Sequence, residues 1–218
     1  MNRTAQLLRR FRRQTAGAAL VEFTILVFAL ILLTGGIVDF GFALFQWNAA
    51  TKALQQGVRL AAVSNPVSSD LKTMTGLEGG ALPGDPFPDF TRVCTGASAS
   101  CSNGGTYDAA AMRTIVYGRG EVACGSVASS QIAGMCDVFW RVAPANVSIT
   151  YRQTGLGFAG RPGGPVPTIT MQLTGLSFTL PFLNGVVGLA PITIPAMRTS
   201  ATAEDMCTVQ RNANGTCP

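Results

Sequence analysis

The sequence predicts an α+β protein: a long N-terminal helix able to cross a membrane, followed by a small disulfide-linked antiparallel β-sheet domain. Three observations carry this. Between Glu22 and Asp39 lie 16 residues with neither charge nor proline. Two later segments, Val147–Arg152 and Thr168–Leu173, alternate apolar and polar residues strictly, as strands with one buried face do. All six cysteines, Cys94, Cys101, Cys124, Cys136, Cys207 and Cys217, follow the apolar run. An even number confined to one side of a membrane segment fits an oxidising compartment and three disulfides.

The helix comes first in the chain. Leu, Ile, Val and Phe occupy its whole circumference, so it has no polar face to offer water. Extended to Trp47, the run can cross a hydrocarbon core of about 30 Å, which needs roughly 20 residues. At about 1.5 Å per residue, Glu22 and Asp39 stand roughly 25 Å apart, so each acid can sit near one interface. Phe23, Asp39 and Trp47 mark the span, with Trp47 where an aromatic ring favours the interface. Beyond it, Trp47, Ala50, Leu54, Val58 and Ala61 recur at helical spacing, and Lys52, Gln56 and Arg59 lie on another side. Ser64-Asn65-Pro66 ends the helix, because the residue before proline is pushed out of the helical region. From Ala18 to Val63 a straight helix would run to about 69 Å. The expected division is therefore a basic leader (1–17), a membrane-spanning and packing helix (18–65) and an outer domain (66–218).

The leader carries Arg3, Arg9, Arg10, Arg12 and Arg13 and no acid; without it the chain has 11 basic and 11 acidic residues. The net charge of +5 thus belongs to the leader. With 12% charged residues overall, the outer part lacks the charge density of a nucleic-acid binder. Positive flanks stay cytoplasmic, which places the bulk of the chain outside. A basic end before an apolar run fits a cleaved secretory signal, an uncleaved anchor, or a leader cut on the cytoplasmic side of the helix. Glu22 favours the third, because a carboxylate at the start of the apolar run gains nothing in a secretory signal.

Gly17-Ala18-Ala19-Leu20-Val21-Glu22-Phe23 resembles the prepilin-peptidase site of type IV pilins. The resemblance implies cleavage between Gly17 and Ala18, with Glu22 as the fifth mature residue and Glu22-Phe23 as the pair seen in tight-adherence (Flp-type) pilins. Gly36–Gly41, Asn48-Ala49-Ala50 and Gly57–Val63 are similar to the TadE-like minor pilins, or pseudopilins, of tight-adherence systems. Residues 113–118 and 145–205 resemble the outer domains of that family more loosely. The expectation is a single-pass protein of the bacterial inner membrane with a cytoplasmic N-terminus and a periplasmic outer domain. It would take part in assembling or initiating a pilus, with a prepilin peptidase, other pilins, the assembly platform and the lipid bilayer as partners.

The outer part opens on turn-rich sequence, Pro66 to Thr106, where Cys94 and Cys101 enclose a short flexible loop. Asp108 is a candidate N-cap for a helix over Ala109–Tyr117, with Gly118 at its C-terminal end. The link between the two alternating strands, Gly155 to Pro167, carries five Gly and three Pro and reads as a long hairpin loop. Leu176, Phe178, Leu180 and Phe182 alternate with Ser177, Thr179 and Pro181, a third strand or a membrane-proximal segment. Ile192-Thr193-Ile194 opens a last strand running towards Ala203, with Pro195 restricting its start to an edge or bulge. Of 15 ways to pair six cysteines, nearest neighbours (Cys94–Cys101, Cys124–Cys136, Cys207–Cys217) close the short loops.

Catalytic chemistry is thinly supported. There is no histidine and no Cys-x-x-Cys, which removes the commonest general base and the usual zinc or redox motifs. Gly118-Arg119-Gly120-Glu121-Val122-Ala123 matches a dinucleotide fingerprint by letter, but the mechanism requires a strand leading into a helix within a βαβ unit. Asp85, Asp89 and Asp108 are oxygen ligands by type, although Asp in turns more often caps backbone. The expectation is a non-enzymatic protein with no metal and no cofactor. A single-pass envelope protein that binds a ligand or surface through its outer domain is the alternative.

Overall fold

The structure, a computed structural model, describes residues 15–120, 123–125, 132–188, 190–203 and 205–208. Most of the basic leader, Glu121, Val122, Glu204 and Cys217 lie outside them. The chain divides into two compact units. The first joins the N-terminal helix up to Leu44 with Thr179–Ile192; the second runs from Phe45 to Phe178 and resumes at Thr193. The second unit therefore begins inside the helix, and a segment near the C-terminus belongs with the first.

Helix α1 spans Thr15–Ala62. It is 46 residues long from Gly17 onward and apolar enough over that stretch to cross a membrane. It ends one turn before Pro66, where the Val63 N–H turns back to the Leu60 carbonyl at 3.2 Å. The Arg119 guanidinium donates to the carbonyl of Val63 and to the Ser64 hydroxyl, taking up acceptors that a helix C-terminus leaves unpaired. Arg59 in the last turn complements the negative end of the helix dipole.

The second unit is built on a five-stranded antiparallel sheet. In chain order its strands are β1 (Thr91–Thr95), β2 (Ser100–Cys101), β5 (Val147–Arg152), β6 (Thr168–Leu173) and β9 (Met197–Thr202). In space they run β2-β1-β5-β6-β9. Two short pieces, β3 (Gly118–Arg119) and β4 (Ile132–Ala133), pair with each other. The described residues also form β7 (Ser177–Phe178), β8 (Ile192–Thr193), helices α2 (Ala109–Tyr117), α3 (Met135–Val138) and α4 (Pro181–Val187), and short 3-10 helices at Ser69–Lys72 and Pro144–Asn146.

Register follows the alternation in the sequence. Val147 faces Leu173, Ile149 faces Met171 and Tyr151 faces Ile169, and all six are buried. One face of the sheet is therefore apolar, and it shares a single core with Ala50, Ala53, Leu54, Val58 and Ala61 of α1 and with Met112, Ile115 and Val116 of α2. The helical stripe read from the sequence is this packed face. Gly57 allows close approach: a Cβ there would overlap the Met135 and Met171 side chains.

Asp108 caps α2 as expected, its carboxylate accepting from the Ala110 and Ala111 N–H groups at 3.0 Å each. It also pairs with Lys72 at 2.8 Å. Asp85 likewise accepts from the Leu82 N–H at 2.8 Å, so both are turn or cap residues.

Three expectations change. The loop between Cys94 and Cys101 is a hairpin, with the two cysteines directly opposed across β1 and β2. Cys94 lies on the core face beside Ile149, so β1 is an internal strand of the sheet. The segment 176–182 forms only the short β7, and Pro181 then starts α4 instead of continuing a strand. Proline suits the first helical turn, where its missing N–H is not needed. The last strand is also split, because β8 stops at Thr193 and β9 begins at Met197, two residues after Pro195. Proline removes a ladder donor, which is why pairing resumes only beyond it.

Candidate functional site: the exposed half of the N-terminal helix

From Gly17 to Leu44 helix α1 shows an apolar surface that no water-soluble helix would keep. Leu20, Phe23, Leu26, Leu33, Val38 and Phe40 are all exposed. None of its most apolar stretch is buried. The hydroxyls on this surface are satisfied within the helix: Thr24 donates to the Leu20 carbonyl at 2.7 Å and Thr34 to that of Leu30 at 2.9 Å. Polar groups closed on their own backbone are what a hydrocarbon surrounding demands. The helix thus fits a single-pass membrane protein.

Glu22 breaks this pattern. It is exposed on the apolar surface, and among the described residues nothing pairs with its carboxylate. Phe23 beside it is also exposed. The Gly17–Ala18 bond lies in the first turns of α1, which begins at Thr15. Glycine weakens a helix there by about 1 kcal/mol relative to alanine, and helix ends fray.

Asp39, the second acid of this stretch, is taken up by the protein itself. Its side chain is completely buried and accepts from the Phe182 N–H at 3.1 Å and the Leu183 N–H at 2.7 Å. These are the free donors of the first turn of α4, since Pro181 has none and the Asn184 N–H already bonds the Leu180 carbonyl. One turn before Asp39, Gly35 leaves room for the Phe182 ring, which a Cβ would overlap. No sequence motif marks this contact; the paired cues were an acid and a glycine four residues apart in the apolar part of α1.

Within the second unit, Trp47 packs edge-on against Phe178, ring centres 6.3 Å apart. Cys94 is bonded to Cys101 and Cys124 to Cys136. Cys207 is also disulfide-bonded, while Cys217 is outside the described residues. An open groove of about 620 Å³ is lined by Phe87, Phe90, Asp89 and Glu78, with Arg92 and Asp70 joined by an ion pair of 2.8 Å at its wall. Hydrogen bonds from the backbone N–H of Thr75 lead the effects that hold the Glu78 carboxyl below its usual range, against a smaller opposing effect of burial. Among the described residues no group of three or more His, Cys, Asp or Glu is placed to hold a metal ion. The dinucleotide-like glycines follow α2 instead of leading into a helix: Gly118 ends it at φ 99° and enters β3. The order that would cradle a phosphate is reversed.

The model of the family described as TadE-like protein matches residues 17–59. No curated protein and no solved structure matches the chain. The match takes in Gly17, Ala18, Glu22, Phe23, Asp39 and Trp47, and it stops within α1, so the loosely similar residues 145–205 lie beyond it. Over residues 17–59, the stretch that carries every candidate assembly residue, the chain is similar to the family described as TadE-like protein.

Proposed function

We propose that the chain is a minor pilin or pseudopilin of a bacterial tight-adherence pilus system and acts in assembling or initiating the pilus. It is held in the inner membrane by α1, with its N-terminus cytoplasmic and its sheet-bearing part periplasmic. A prepilin peptidase cuts between Gly17 and Ala18; other pilins and the assembly platform are its partners. It works by helix packing, with no turnover of its own.

The observation that carries this is Glu22, a carboxylate with no partner among the described residues, on an exposed apolar helix five residues after Gly17 in the family-matched stretch. Cleavage would place a new α-amino group on Ala18, positive near neutral pH with an unperturbed pKa of about 7.7 to 8.0. In a bundle of apolar helices that charge, buried alone, would cost several kcal/mol. Glu22 of an adjacent subunit supplies the counter-charge and so sets the axial register between helices.

The variant Glu22→Gln is expected to insert in the membrane as wild type does but to lose crosslinks to other pilins and bring pilus counts to background. Mass spectrometry of the membrane-extracted protein should find Ala18 at its N-terminus. Normal assembly of the variant would reduce α1 to an anchor. The groove beside Phe87 and Phe90 favours a second reading, an envelope protein that binds a ligand through its outer part. That reading expects Glu22→Gln to be silent and substitutions at Phe90 to abolish function.

A further inference from the structure

The first unit contains a second apolar element. Thr179–Ile192 has no charged residue, and its outward side chains include Val186 and Ile192, both more than half exposed. They belong to the same compact unit as Ile37, Val38 and Phe40 of α1, which are also exposed. A short helix in water leaves its first N–H groups to the solvent. Here the N–H groups of Phe182 and Leu183 are closed by the buried carboxylate of Asp39. The Asn184 N–H is closed by Leu180, and Gly188, in the left-handed conformation, returns its N–H to Asn184 at 3.0 Å. Inside hydrocarbon every backbone donor needs such a partner, and an acid on a spanning helix must be taken up by one. One contact between Asp39 and α4 meets both demands.

We propose that Thr179–Ile192 is a second lipid-contacting element: a short re-entrant segment that Asp39 fastens to α1 and that lies among acyl chains at the Asp39 end of the span. It rests on α1 crossing the membrane and is independent of pilus assembly.

The test uses the full chain in phosphatidylethanolamine–phosphatidylglycerol vesicles containing a trace of phosphatidylcholine with a photoactivatable diazirine on its acyl chain. After illumination, adducts are mapped by peptide mass spectrometry. Adducts are expected on peptides covering 179–192 and 23–38, and none on the sheet peptides covering 147–173. Asp39→Ala should lower the yield on 179–192 several-fold, towards that of the sheet, and leave 23–38 unchanged. Val186→Lys, at an exposed position, should lower it without touching the Asp39 contact. Labelling of 23–38 with none on 179–192 overturns the proposal, and an unchanged yield in Asp39→Ala overturns the fastening by Asp39. Loss of label from 23–38 would instead refute the membrane span. A photocrosslinking residue at position 186 should capture lipid; capture of a second copy of the chain would also overturn the proposal.

Discussion

Tyr151 shows how a residue can be legible in one respect and hidden in another. Its place in an alternating strand marks it as core, and it is fully buried. Its hydroxyl accepts a hydrogen bond from the Val67 N–H at 3.0 Å, 84 positions away in the chain, which alternation cannot show. Burial raises the phenol pKa well above its ordinary value, outweighing the opposing bond from Val67. Tyr151→Phe keeps the ring and strands a buried N–H, so a loss of about 1–3 kcal/mol is expected in denaturant unfolding. Glu22 and Asp39 make the same point on α1. Both are acids on an apolar helix, yet one is exposed and the other is a buried cap.

Among the elements, the packing stripe of α1 and strands β5 and β6 were readable because each repeats a local period: 3.6 residues for the helix and 2 for the strands. The cap of α2 was readable too, since Asp108 acts within its own turn. β1 was not, because Thr91–Thr95 is short, follows a turn-rich stretch and becomes a strand by pairing with β5, some 50 residues later. Its hairpin with the two-residue β2 is held by the Cys94–Cys101 disulfide. A loop of this length contributes on the order of 2 kcal/mol by the chain-entropy estimate. The double variant Cys94→Ala, Cys101→Ala should lose about that much in equilibrium unfolding, with a further cost for the cavity at buried Cys94. Hydrogen exchange should show the loss of protection concentrated in β1 and β2.

At the scale of the molecule, titration ties stability to pH from both ends. For Asp108 burial raises the pKa, but the Lys72 hydrogen bond and the α2 N–H groups outweigh it, so the value falls below the ordinary 3.8. Glu78 is likewise held below 4.5. Groups whose folded pKa is lowered stabilise above their unfolded pKa and lose that contribution as pH falls through the folded value. Tyr151, raised from 10.0, contributes fully below that pH and loses its contribution as pH rises beyond it. The thermal midpoint of the detergent-solubilised protein should therefore fall below about pH 4 and again above about pH 10. Asp108→Asn should flatten the acid limb and also weaken the alkaline one, because the Asp108 charge is among the causes that raise the Tyr151 pKa.

By itself the sequence determined the membrane-capable helix, the cap of α2, the two central strands and the candidate assembly motif, because each is written in residues within a few turns of one another. Only the tertiary structure decided that β1 is internal, that 181–187 is a helix, and that Asp39 closes its first turn from 144 residues away. The physical reason is that such contacts are chosen by which donors and apolar faces remain unsatisfied once the local elements have formed. That is a property of the packed chain, and no short window of residues contains it.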